Sequence, residues 1–293
     1  MQRRWLVLGV VIAAACARGR NDEVPDGSPG DDAPGIDAEV DAPPDAMADA
    51  PPAGPPVPLL LTEVVLAPTE GELIEILNPT DQAVSLNGYY LADHGAYFRV
   101  PAGAPIVDVT DFIVRFPAGA VIGPRAVITV AVATASAYEA LYGVPPTFSI
   151  ASGTMVTVSS NGIGSLTNGG ELIALFYWDG QDDLVRDVDL LLAGVPGATN
   201  GLIDKSGVAL DGPDAGTTTT AYKADARTMT AQASAPPAAR STKRIAPETG
   251  YETQAGTGNG LDGDDETSEL TLSTWDSAFT APTPGTVPPE LMP

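Results

Sequence analysis

From Leu59 onward the apolar runs are short and rich in β-branched and aromatic residues, and Gly, Pro, Asn or Asp breaks them at intervals of roughly ten residues. That spacing fits a chain that keeps reversing direction after short strands, and it leaves little room for long helices. The runs lie at 59–66, 73–77, 89–92, 112–116, 126–132, 155–159, 171–177 and 185–191. Turn signals separate them: Asn78-Pro79-Thr80-Asp81, Asn87-Gly88, Ile122-Gly123-Pro124 and Trp178-Asp179-Gly180-Gln181. Only residues 134–142 offer a helical stretch, of two turns at most. The expected fold class is all-β, a sandwich of strands packed face to face. Gly (31) and Pro (28) are abundant in this chain of 293 residues, in keeping with that reading.

Within the second run, Ile74 and Ile76 fall on one face of a strand and Glu75 on the other, so Glu75 is expected to look outward from a strand packed on one side. Pro79 then stops the strand, because proline lacks the ladder donor and fixes φ. Asn87-Gly88 tolerates positive φ and reverses the chain within two residues.

The segment before Leu59 reads differently. Arg3 and Arg4, an apolar run at 5–12, and Ala13-Ala14-Ala15-Cys16 form an export signal whose apolar core is too short to span a bilayer. Three small residues before the chain's single Cys resemble the lipobox of bacterial lipoproteins. That resemblance implies a signal peptide over residues 1–15, lipidation of Cys16, and a membrane anchored through the N-terminal lipid. Ala17 stands where some bacteria use Asp to retain lipoproteins at the inner membrane, which favours the outer membrane of the cell envelope. Several acyl chains, at about 0.8 kcal/mol per buried methylene, would make the anchor durable.

Residues 17–57 hold ten acidic residues and two Arg among many Pro and Ala, with almost no large apolar side chain. Such a segment cannot bury enough surface to offset its ordering entropy. The expectation is a disordered acidic linker over residues 16–57, reaching from ~40 Å as a coil to on the order of 100 Å if extended. The folded domain is then expected over 58–293.

Read in order, the motifs of that domain are Leu60-Leu-Thr-Glu63-Val, Glu72-Leu-Ile-Glu75-Ile-Leu-Asn78-Pro79, Ser85-Leu-Asn-Gly88-Tyr-Tyr-Leu-Ala-Asp93, Phe116-Pro-Ala-Gly119-Ala-Val-Ile-Gly-Pro124 and Leu166-Thr-Asn168-Gly-Gly-Glu171-Leu-Ile-Ala-Leu. Trp178-Asp-Gly180, Ser241-Thr-Lys-Arg244-Ile, Trp275 and Thr283-Pro-Gly285 follow. As an ordered set they resemble the lamin tail domain. The resemblance implies an immunoglobulin-like β-sandwich, with Trp275 on its closing strand, and a binding or accessory role rather than catalysis. Residues 193–239 depart from the family pattern as a long insertion, and 96–111 lengthen an earlier connection.

Charge excludes one class of function. With 38 acidic residues against 14 basic ones, a net charge of −24 disfavours nucleic acid, whose affinity comes mainly from Lys and Arg. One His leaves no two-His metal site and no His-Glu-x-x-His motif, and no Gly-x-Ser-x-Gly elbow is present. His94, next to Asp93, is expected to be a solvated loop residue. The Gly-rich stretches 162–165 and 168–170 lack the Lys of a phosphate loop and read as turns. Glu63 and Glu75 could face each other as a glycosidase pair, although solvent-facing positions on neighbouring strands are expected. An envelope hydrolase using such acidic residues is the alternative reading. Calcium is the one cofactor with a candidate site: Asp262, Asp264, Asp265 and Glu266 supply hard oxygen ligands, with Gly263 allowing the bend. A thinner acidic group comprises Asp204, Asp211 and Asp214. Partners are expected to be an envelope protein or a glycan.

Overall fold

A computed structural model describes residues 56–105, 107–162, 164–194, 203–224, 231–247, 258–267 and 272–292. Cys16, the expected export signal and the acidic linker up to residue 55 lie outside the described residues, as does part of the 193–239 insertion. The strands, in chain order, are β1 (Leu60–Val65), β2 (Leu73–Leu77), β3 (Val84–Ser85), β4 (Tyr89–Ala92), β5 (Phe112–Arg115), β6 (Val121–Ile122), β7 (Val127–Ala131), β8 (Phe148–Ser149), β9 (Val156–Ser160), β10 (Gly170–Tyr177), β11 (Arg186–Gly194), β12 (Ala209–Leu210), β13 (Thr220–Ala221) and β14 (Thr242–Lys243). One helix, α1 (Ala135–Tyr142), follows β7.

Two five-stranded sheets form an all-β sandwich. The first has the order β14-β1-β2-β7-β8 and the second β11-β10-β4-β5-β9. Pairing is antiparallel except between β7 and β8. Between the sheets, Leu61, Ile74, Ile76 and Val130 of the first meet Leu91, Phe112, Val114, Ile173 and Leu175 of the second, all essentially without solvent contact. Full burial of such a side chain contributes roughly 1.5–3 kcal/mol, so this layer supplies most of the folding drive. Trp275 belongs to the same core at 3% exposure, and meets Arg244 in an isolated antiparallel bridge rather than on a full strand.

The outer faces are covered too. On the second sheet, Tyr90, Ala92, Ile113, Ala174, Phe176 and Leu190 pack under Tyr97, Phe98, Val100 and Val107 of the lengthened connection, and under Ile203, Leu210 and Tyr222 of the insertion. The 96–111 connection and the described part of 193–239 thus build a second apolar layer. On the first sheet, Tyr138 of α1 packs on Val65, Leu73 and Ala131. Thr134 caps that helix by accepting the Ala137 N–H at 3.3 Å, and Gly143 ends it at φ 74°.

These layers correct one expectation. β2 is buried along its whole length, with Glu75 at 0% exposure, so it is not a strand packed on one side. Among the described residues no helix is long and apolar enough to cross a membrane.

Candidate functional site

The outer face of the first sheet brings two carboxylates together. β1 and β2 pair with Glu63 opposite Glu75, and a bulge between Leu61 and Glu63 lets Thr62 sit beside them. The C-terminal segment crosses this face. Glu63 accepts the Thr283 N–H at 3.0 and 3.2 Å, one bond to each oxygen, and the Thr283 hydroxyl at 3.2 Å. Glu75 accepts the Gly285 N–H at 2.7 Å and the Thr62 hydroxyl at 3.0 Å. Lys243 Nζ stands 3.5 Å from Glu63 and donates to Ala281 O and Thr283 Oγ1. A cavity of about 240 Å³ opens here, lined by Glu63, Glu75, Lys243, Asp276, Pro288 and Glu290 among others.

Glu63 and Glu75, expected to face solvent, are instead 2% and 0% exposed. The reason is the C-terminal segment, which caps a face that strand alternation alone leaves open. Burial pushes the Glu75 carboxyl up to about 7; the Glu63 charge adds to the rise, while Gly285 N–H, Thr62 and Lys243 oppose it. Chemically the pair can clamp a chain segment, or place an acid next to a base.

A second charged site ties the sandwich along one flank. Arg244, just after β14, donates from Nη2 to both carboxylate oxygens of Asp189 of β11 at 2.8 and 2.7 Å, and from Nε to Leu61 O at 2.6 Å. Asp189 also accepts the Leu61 N–H at 2.6 Å, so three strands meet at one buried ion pair. The guanidinium lies 4.8 Å over the Trp275 ring. Burial raises the Asp189 carboxyl to about 6 against the opposing pull of Arg244.

No family model, curated protein or solved structure matches this chain.

The residues of the acidic turns differ in exposure. Asp262 is exposed in the left-handed region at φ 57°, whereas Asp265 is 1% exposed and accepts the Thr267 N–H at 3.1 Å and its hydroxyl at 2.5 Å. Glu266 is also buried, and Asp264 is half-buried. Among the described residues, the acidic group whose oxygens all approach within 4.8 Å is Asp183, Asp211 and Asp214. Asp183 accepts the Gly212 N–H at 2.7 Å and the Thr220 hydroxyl at 2.5 Å, two bonds that hold its carboxyl below the usual range. Gly212 is required at this turn, since a Cβ would fall 2.7 Å from Asp182 O.

His94 is not a solvated residue. It is 9% exposed and its Nδ1 lies 2.8 Å from Asp111, not Asp93. Asp93 turns inward and accepts the Phe112 N–H at 2.5 Å; burial, then the charges of Glu171 and Asp111, push its carboxyl well above the ordinary value. Lys205, passed over in the acidic insertion, is fully buried against Asp187, which also accepts the Tyr97 hydroxyl at 2.5 Å. The sequence did carry a signal for Asp187 and Asp189: two charges at alternate positions inside an otherwise apolar strand demand buried partners.

Proposed function

We propose that this chain is an exported bacterial lipoprotein, anchored through Cys16 at the outer membrane. On an acidic linker it displays a lamin-tail-like, immunoglobulin-type sandwich that serves as a non-catalytic binding or structural module. One observation carries the module reading: the buried carboxylates of the two sheets act as fasteners. Glu63 and Glu75 hold the C-terminal segment by its backbone N–H groups, and Asp189 holds Arg244 and Leu61. Groups engaged in this way preorganise a rigid scaffold, which is what a displayed binding surface needs. The sequence pattern at residues 3–16 and the composition of 17–57 support the anchor and its spacer. The partner class in this reading is an envelope protein or a glycan.

Fractionation tests the anchor. The full chain should remain with membranes through a high-salt wash, and Cys16→Ser should move to the soluble fraction; a Cys16→Ser variant that still pellets would remove the lipid anchor from this account.

The Glu63–Glu75 cavity supports a second reading as an envelope hydrolase. A carboxyl near 7 beside another carboxylate is the arrangement acid–base catalysis uses. Turnover of an envelope polysaccharide that Glu75→Gln abolishes while the fold stays intact would establish it, and unchanged turnover in that variant would end it.

A further inference from the structure

Residues 140–170 contain no Asp, Glu, Lys, Arg or His, in a chain of net charge −24. This stretch holds β8 and β9, which are the outermost strands of the first and second sheets and are joined only by residues 150–155. The two edge strands of one flank therefore carry no charge of their own. The opposite flank, where β14 and β1 meet β11, is closed by Arg244 and Asp189.

β9 reads Val-Thr-Val-Ser-Ser, and its side chains are exposed or half-exposed, Val156 at 39%. It pairs with β5 on one side, and among the described residues no backbone hydrogen bond reaches it from any other segment. Exposed edges are ordinarily blunted by charge, by proline or by a covering segment, because their unpaired N–H and C=O groups invite another strand. The other edge of this sheet follows that rule: Gly260 and Ala233 bridge to β11. β9 carries neither charge nor proline. A bulge at Val158, where the register with β5 shifts, twists the strand, and its C-terminal end is covered, since Ser159 Oγ donates to Pro105 O at 2.6 Å and Asn161, just past the strand, bridges to Val109; the stretch 156–158 is left open.

We propose that β9 is a docking edge for a second copy of this chain, the two strands pairing antiparallel about a two-fold axis. Antiparallel pairing of a strand with itself is self-complementary, as a two-fold interface requires. Charge selects the same occupant. Two copies at −24 repel over most of their surfaces, and only an uncharged flank lets them approach without opposing like charges. The one charge in register with β9 is Arg115 of β5, opposite Val156 and half-buried. Hydroxyl-bearing Thr157, Ser159 and Ser160 and β-branched Val156 and Val158 suit a cross-strand contact. A five-residue strand with a bulge buries less than a standard interface, so the dimer is weak, with a dissociation constant of roughly micromolar or higher. This inference stands apart from the lipid-anchor reading.

Sedimentation velocity on the full chain carrying Cys16→Ser, which removes the single thiol and any lipid, tests it over a range on the order of 10 to 500 µM. The mass should rise toward a dimer with concentration. Added salt should preserve or strengthen the dimer, since it screens repulsion and breaks no ion pair. Thr157→Lys places two ammonium groups across the interface and should weaken dimerisation by about tenfold or more; Ser160→Lys, at an exposed position, should act in the same direction. Ile245→Lys, 44% exposed on the opposite flank, is the control and should leave it unchanged. Melting by circular dichroism verifies that each variant is folded. A chain that stays monomeric throughout, or a dimer indifferent to both β9 lysines, overturns the proposal.

Discussion

At the scale of single residues, the interior of this sandwich is organised by charge as much as by apolar contact. Arg244 and Asp189 are each about 1% exposed, and between them they satisfy a carbonyl and an N–H of Leu61. Removing one ion would leave the other buried without its counterion, whereas removing both leaves an apolar gap among Trp275, Leu61 and Val188. Arg244→Met should therefore cost about 3–5 kcal/mol, and Arg244→Met combined with Asp189→Leu should be less destabilised than Arg244→Met alone. Urea unfolding of the two variants checks this; equal losses would mean the pair acts only by filling space. Ile76, at 0% exposure between the sheets, sets a separate benchmark. Ile76→Asp places an unpaired charge in the core, at a cost of several kcal/mol against a total stability of ~5–15 kcal/mol, so its melting transition should vanish or fall sharply.

At the scale of elements, the insertion and the lengthened connection act as a lid over the second sheet, and Lys205 is its rivet. The Lys205 ammonium pairs with Asp187 and lies 5.6 and 5.7 Å from the Tyr97 and Tyr222 rings. The Tyr222 hydroxyl donates to Phe98 O at 2.7 Å and accepts the Val185 N–H at 3.0 Å. Lys205→Ala should raise hydrogen exchange at 203–222 and 97–102 well before it affects β2 or β7, because those strands lie in the other sheet. Uniform loss of protection would show that lid and sandwich unfold as one unit. The strands themselves were legible in the sequence: β2 and β4 coincide with their predicted runs, because turn residues such as Asn78, whose side chain donates to Gln82 O and Gly123 O, act locally. The outward-facing expectation for Glu63, Glu75 and His94 failed for the opposite reason. Alternation assigns a side chain to one face of a strand, but what covers that face comes from residues 283–285 or Asp111, remote in sequence and without periodicity of their own.

At the scale of the whole molecule, those buried carboxyls predict how stability answers to pH. Burial pushes Glu72, Glu75 and Glu171 each to about 7 from an ordinary 4.5, and raises Asp93 well above its usual range. Since these groups hold their protons more tightly folded than unfolded, the folded state binds more protons across this interval, and stability falls as pH rises from about 4.5 to about 7. Below that interval the groups are protonated in both states and the penalty disappears; above it the penalty is complete. Asp81 and Asp183 shift the other way, lowered by Arg125 and by Thr220 with Gly212, but Asp81 is exposed and Asp183 lies half-exposed at the surface, so both are screened. The net charge of −24 adds repulsion in the same direction as the buried carboxyls, because it too grows as acids ionise. Thermal melting should therefore be highest near pH 5 and decline toward pH 8, against the common pattern in which acid loosens a fold. Glu75→Gln separates the two contributions. It keeps an acceptor for Gly285 N–H and a group for Thr62, yet has no charge to bury, so it should melt about 3–8 °C above the parent at pH 8 and close to the parent at pH 5. A variant that follows the parent at both pH values would assign the pH dependence to surface repulsion, and added salt should then abolish it.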